Sequence, residues 1–419
     1  MIPLENNNIP AGYKDSAVGI IPQEWEVKRL AELCQNTGDY GINAPAVPYR
    51  EDLPTYLRIT DIDSWGKFIK TDKASVDNPN NSQFILRDGD IVFARTGATV
   101  GKTYLYDSKD GQLVFAGFLI RFTPNSNKAV PYYIKACTET ASYWNWVRVI
   151  SQRSGQPGIN SVEYGAMKLA VPPLAEQRKI AEILGAWDEA IEKQSRLIEK
   201  MESRKRALMQ RLLTGRTRLP GFTTPWQKVS YYEILKEVKR NMTWDDNEEY
   251  DLISVKRRSG GLFHRDRLLG KDIKTKNLRP AKLGDFLISK MQIVHGASGL
   301  VTEEFDGMKI SGSYIALVAK SREKVDMNFI NWYSQTPYFY HQTYVSSYGV
   351  HIEKMTFDLE SFMSMNIMLP PLLEQKAIAE VLTAANNEIA THRKKLDALR
   401  LQKRGLMQQL LTGKTRVKI

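Results

Sequence analysis

The chain carries 419 residues, 42% hydrophobic and 25% charged, so it has room for two to three domains and the balance of a globular protein. Its net charge of +12 favours a polyanionic partner, with nucleic acid first among them. The two cysteines, Cys34 and Cys137, lack metal or redox spacing. With no apolar run of about 18 residues and no leader pattern, the membrane and disulfide-scaffold classes fall away and a reducing, cytoplasmic setting is expected.

Residues 1–170 read as a first globular region. It opens around Trp25 and contains strand-like runs at 57–63, 91–94 and 118–122, with a turn at Gly89-Asp90. A polar loop follows the second run and carries Arg95, Thr96 and Lys102. A second polar loop carries Gln152, Arg153, Gln156 and Asn160. Arg58 and Thr60, on the first run, are further candidates at the matched strand. These side chains suit base edges and phosphates, and they form the candidate DNA contacts of this region.

Residues 171–218 predict one long helix. Pro172 and Pro173 precede it, Glu176 sits in its first turn and Gly215 closes it. Its apolar residues recur at heptad spacing: Ile180, Leu184, Trp187, Ile191, Ile198, Met201, Leu208 and Leu212. Gln194 and Lys205 interrupt the seam.

Residues 219–368 predict a second globular region that keeps the skeleton of the first. Leu57, Gly66, Gly89-Asp90, Gly101 and Gly117 recur, 195 residues on, as Leu252, Gly261, Gly284-Asp285, Gly296 and Gly312. Trp226 answers Trp25 at a shifted register. The candidate DNA contacts are Lys256, Arg257, Arg258, Lys290, Gln292, His295, Tyr348 and His351, with Lys290 equivalent to Arg95.

Residues 369–419 repeat the helix. PPLAEQ…LMQRLLTGRTR from Pro172 and PPLLEQ…LMQQLLTGKTR from Pro370 align without a gap, identical at 22 of 47 positions. Ile378, Leu382, Ile389, Leu396, Leu399, Leu406 and Leu410 continue the heptads, interrupted by His392 and Lys403. A period near 198 is too long for a solenoid. It describes duplicated halves, and the sustained heptads predict that the two helices pair as an antiparallel coiled coil.

Catalytic signatures are missing. GATVGKT at 97–103 falls one residue short of a phosphate-binding loop, because Thr96 stands where its first glycine belongs. No adenine-methyltransferase tetrad, dinucleotide fingerprint or His/Cys cluster occurs, and no metal site is expected. The chain reads as a binder, not a catalyst.

The opening GYKDSAVGIIPQEWEVKRL, LRITDID at 57–63, the turn GDIVFARTG and both PPL-x-EQ…LMQ-x-LLTG-x-TR helices resemble the DNA-specificity subunits of type I restriction–modification systems. The resemblance implies an α+β or α/β chain with two related target-recognition domains (1–170 and 219–368) separated by two helical spacers (171–218 and 369–419) in a pseudo-two-fold arrangement. Each domain would read one half of a bipartite, asymmetric DNA site. The helices would set the gap and dock two modification subunits that methylate adenine from S-adenosylmethionine. Two translocating restriction subunits using ATP and Mg would complete the endonuclease, and this chain itself would hold no cofactor. The alternatives are a stand-alone coiled-coil DNA-binding regulator and an enzyme with an unrecognised site.

Overall fold

A computed structural model describes residues 9–153 and 155–419. The chain forms two compact units. The first comprises residues up to Ser195 together with Lys395–Ile419, and the second comprises Arg196–Lys394. Each unit thus contains one globular head, the first part of one long helix and the last part of the other.

The head of the first unit holds two four-stranded sheets. One runs in the order Asp39–Tyr40, Leu119–Phe122, Ile91–Ala94, Thr103–Leu105, antiparallel throughout. Ile91–Ala94 is buried on both faces, which suits its unbroken apolar run. The other sheet runs Leu113–Phe115, Thr55–Leu57, Ala74–Ser75, Val47–Pro48, with one parallel pair. Helices Pro131–Cys137, Ala141–Ile150 and Ser161–Gly165 cover the first sheet. The segment expected as a strand at 57–63 departs from the sheet after Leu57. The Asp61 carboxylate accepts the Arg58 backbone N–H (2.8 Å), and the chain winds into a 3-10 turn over Ile59–Asp61.

The second unit repeats this plan. Leu235–Glu237, Tyr314–Ala319, Phe286–Ser289 and Ser298–Leu300 form its first sheet. Met327–Tyr333, Pro337–Val345 and Leu359–Met363 are its short helices. Its other sheet differs. Glu249–Val255 and Leu262–Leu269 build a hairpin of seven and eight residues where the first head has a three-residue strand. The matched Gly-Asp turns have one cause. Gly89 and Gly284 take positive φ (91° and 86°), and buried Asp90 and Asp285 accept the backbone N–H three residues upstream.

The long helices span Leu174–Leu212 and Leu372–Leu410. Within the first unit, Ile180 and Leu184 share a core with Met407, Leu410 and Leu411. Within the second, Ile378, Ala379 and Leu382 share one with Leu212 and Leu213. In both units the early turns of one helix meet the late turns of the other, so the pairing is antiparallel. Each fully buried leucine there contributes on the order of 2 kcal/mol. Gly215 and Gly413 take φ of 68° and 70° past the helix ends, as their C-terminal placement requires.

The repeated motif closes each unit through a buried carboxylate. Glu176 is fully buried. It accepts the Trp25 indole N–H (3.0 Å) and a bidentate pair from Arg416 (2.6 and 2.8 Å). Glu374 likewise accepts Trp226 (3.0 Å) and Arg218 (2.5 and 2.6 Å). The neighbouring Gln177 and Gln375 bind the main chain of their own heads at Val130 and Asp326 (both 2.9 Å). The two repeated ends of the motif, EQ and TR, therefore meet in space, each from a different helix.

Candidate nucleic-acid interface

In the first unit the two polar loops converge. Ile159 donates its N–H to Arg95 O (2.9 Å), Gly97 donates to Pro157 O (3.0 Å), and Thr96 bridges Gly158. Arg95 also donates its own N–H to Phe118 O (3.0 Å), and its guanidinium lies over the Tyr40 ring at 4.8 Å with Nε unpartnered. Burial opposes ionisation of Tyr40, but its hydrogen bond with Ser161 and the nearby Arg95 charge hold the hydroxyl below its usual value. Gln152 and Gln156 are exposed, and Ser154 lies outside the described residues.

Other side chains of this head are engaged. Arg58 makes a bidentate pair with Asp61, and exposed Thr60 reaches the same carboxylate at 3.5 Å. Lys102 donates to Ile62 O (3.1 Å). Arg153 pairs with Glu163 (2.5 Å), and Asn160 caps the Ser161–Gly165 helix by accepting the Glu163 N–H (2.9 Å). Sequence reasoning missed Tyr40 and Phe118. Phe118 is 58% exposed beside Arg95, and the only sequence signal was an aromatic residue following the matched Gly117.

In the second unit the same main-chain frame recurs with different side chains. Lys290 donates its N–H to Ser313 O (2.9 Å) and accepts from Phe357 N–H (3.0 Å), matching Arg95 with Phe118 and Ile159. Glu353, also missed in the sequence, pairs with Arg257 (2.9 Å) and approaches His295 (3.3 Å). Arg258 donates its N–H to His295 O (2.7 Å). Lys256 lies over Phe263, Gln292 is half-buried with its Oε1 unpartnered, and Tyr348 and His351 are exposed on a hairpin closed by Thr356. The loops 256–259, 290–296 and 348–357 thus gather at one end of the head.

The helix-pair residues divide by burial. Ile180, Leu184, Ile198, Leu212, Ile378, Leu382, Ile389, Leu396 and Leu410 are buried, whereas Trp187, Ile191, Met201, Leu208, Leu399 and Leu406 are half-buried. The polar seam residues differ between halves. Lys403 is held by Asp188 (2.7 Å) and Glu139 (3.2 Å). Its counterpart Lys205 meets Asn386 (2.9 Å) and lies over the Trp332 ring. Among the described residues no His, Cys, Asp or Glu group is arranged to hold a metal, and no helix is long and apolar enough to cross a membrane.

Comparison with known proteins agrees with this duplicated plan. The sequence profile described as the type I restriction modification DNA specificity domain matches twice, at 22–202 and 226–401. The chain is 26% identical to the putative type I restriction enzyme MjaX specificity subunit of Methanocaldococcus jannaschii over 97% of both proteins. It is 22% identical to the MjaVIII specificity subunit of the same organism, over 95% of this chain and 94% of that one. In structure it resembles the type I restriction-modification system S subunit from M. genitalium, with a TM-score of 0.59 and 11% identity over 98% of each chain. A chain from a study of type I R-M complex assembly and conformational transition gives a TM-score of 0.55 and 18% identity, over 94% of this chain and 99% of that one. With the family profile covering both halves, the chain belongs to the specificity subunits of type I restriction–modification systems.

Proposed function

We propose that the chain is the sequence-reading, non-catalytic subunit of a type I restriction–modification complex, each head reading one half of a bipartite DNA site. One observation carries this reading: a repeated main-chain frame at Arg95 and Lys290 that presents different side chains in each head. A kept frame with altered surfaces suits two unequal half-sites of one ligand class. Base contacts would come from Arg95, Thr96, Lys102, Gln152, Arg153 and Gln156 in the first head. In the second they would come from Lys256, Arg257, Lys290, Gln292, His295, Tyr348 and His351, with Arg258 contacting DNA beside them. Arg58, Thr60 and Asn160 already spend their polar groups locally, so phosphate or structural roles suit them better than base reading.

The recognition domains would span 1–170 and 219–368, with the spacers at 171–218 and 369–419 setting the gap. Two methyltransferase subunits would dock on the spacers and two restriction subunits on the complex, in the cytoplasm. S-adenosylmethionine, ATP and Mg would belong to those partners. The test is the adenine methylation pattern of host DNA with and without this gene. Loss of one split motif on deletion supports the reading. An unchanged pattern, with the partner subunits expressed, overturns it.

A further inference from the structure

The second unit contains a cleft of about 610 Å³ between its helices and its head. Lys205, Arg206 and Arg393 enter it from the helices and Arg258 from the head, against a single carboxylate, Glu202, which Arg393 engages. Among the described residues, neither Arg206 nor Arg258 has an acidic partner. Burial, and then the Arg393 charge, hold the Lys205 ammonium below its usual value, with Arg206 adding to the effect and Glu202 opposing it. Cations crowded in this way are stabilised by an incoming anion.

Arg258 is also held in an uncommon backbone conformation. Arg258 and Ser259 take φ of 58° and 53°, a region that L side chains rarely adopt. The turn is pinned by Arg258 N–H to His295 O (2.7 Å), Ser259 N–H to Gly296 O (2.9 Å) and the Ser259 hydroxyl to Tyr340 (2.7 Å). The surrounding structure thus fixes the turn that carries Arg258 at the cleft.

The corresponding place in the first unit is neutralised. Lys403, the counterpart of Lys205, is taken up by Asp188 and Glu139. Arg400, the counterpart of Glu202, stacks on Trp65 at 4.4 Å. Asp63 and Ser195 stand where Arg258 and Arg393 would be.

We propose that this cleft is a phosphate-binding site, built in the second half of the chain only, that seats a backbone phosphate of the bound DNA. The source named here rests on the DNA-binding reading above, while the phosphate chemistry does not. Guanidinium forks match phosphate oxygens, and the contact positions the duplex without reading its sequence. The grip on DNA is therefore asymmetric in charge as well as in base recognition.

The test uses the full chain with Arg206→Gln, Arg258→Gly and the double variant. Glycine suits the positive φ at 258, so the turn survives. Affinity for a duplex carrying the split motif and for an unrelated duplex is followed by fluorescence anisotropy, between about 50 and 200 mM salt. Each replaced cation should flatten the slope of log K against log salt by about 0.9, equally for both duplexes. Arg404→Gln, in the first unit, should leave the slope unchanged. In a second arm, pyrophosphate is titrated calorimetrically into the DNA-free chain. Pyrophosphate binding lost in the variants, with the DNA slopes unmoved, keeps the phosphate site but assigns it to a free anion. If wild-type chain ignores DNA, the functional reading fails and the pyrophosphate arm alone decides the cleft. Unmoved slopes together with no pyrophosphate binding overturn the proposal, and an equal loss in Arg404→Gln overturns its asymmetry.

Discussion

Glu176 and Glu374 are fully buried carboxylates whose neutralising arginines come from distant points of the chain, 240 and 156 residues away. Removing one partner of a buried pair costs about 3–5 kcal/mol. The Arg416 side chain is 36% exposed, so screening reduces the loss expected on its removal to about 2 kcal/mol. Arg416→Ala should lower the thermal midpoint of unfolding by roughly 4–8 °C, Arg218→Ala should lower it too, and calorimetry showing no shift would refute this. Arg95→Ala should weaken or relax recognition of one half-site and leave the other intact. An equal loss at both halves, read by restriction protection of plasmids bearing altered half-sites, would point instead to global destabilisation. The sequence placed both glutamates in a first helical turn, where the dipole welcomes them. It did not pair them with the arginines, because spatial partners so far apart leave no local spacing. The signal was present only as the repetition of T-G-x-T-R after each helix.

The helix pair was the most legible element, since heptad spacing reports burial directly, and all fifteen expected seam residues are buried or half-buried. Less legible was the chemistry of the seam lysines. Burial works against the Lys403 charge, yet the Glu139 and Asp188 carboxylates prevail and raise its pKa. A raised folded value means that its stabilisation is complete below the unfolded value near 10.5 and disappears as pH climbs through the folded value. Lys403→Met removes a charge shared by two carboxylates, of which Glu139 keeps Lys135 and Asp188 keeps the Tyr132 hydroxyl, and should cost about 2 kcal/mol. Lys205→Met, facing the neutral Asn386, should cost less than about 1 kcal/mol. Urea midpoints for the two variants test the contrast, and equal losses would refute it. Adding one heptad to both helices lengthens each by about 10 Å. If the helices set the gap, the unspecified spacer of the methylated motif should grow by roughly 3 base pairs, and an unchanged spacer on sequencing would end the ruler idea. The segment at 57–63 misled in the other direction. Its alternating pattern suits a strand, but Asp61 captures the Arg58 N–H and turns the chain out of the sheet.

At the scale of the molecule, duplication was visible because turn glycines, the Gly-Asp pairs and the helix motif repeat at near-constant offsets. The division into units was not visible, because it cuts through both helices instead of following the order of the chain. The second unit is one continuous stretch, Arg196–Lys394, whereas the first needs Lys395–Ile419 to supply Met407, Leu410 and Arg416 to its core and its buried carboxylate. Order of synthesis then inverts order of completion. The first head leaves the ribosome early, but Glu176 waits for an arginine 240 residues downstream, on the order of 10–50 s at ordinary translation rates. The second unit can close first. Chains stalled near residue 394 should show a protease-resistant second head beside a first head still open to cleavage at Leu174–Ser195. Equal resistance of both at that stall would mean that the first head closes without its partner helix.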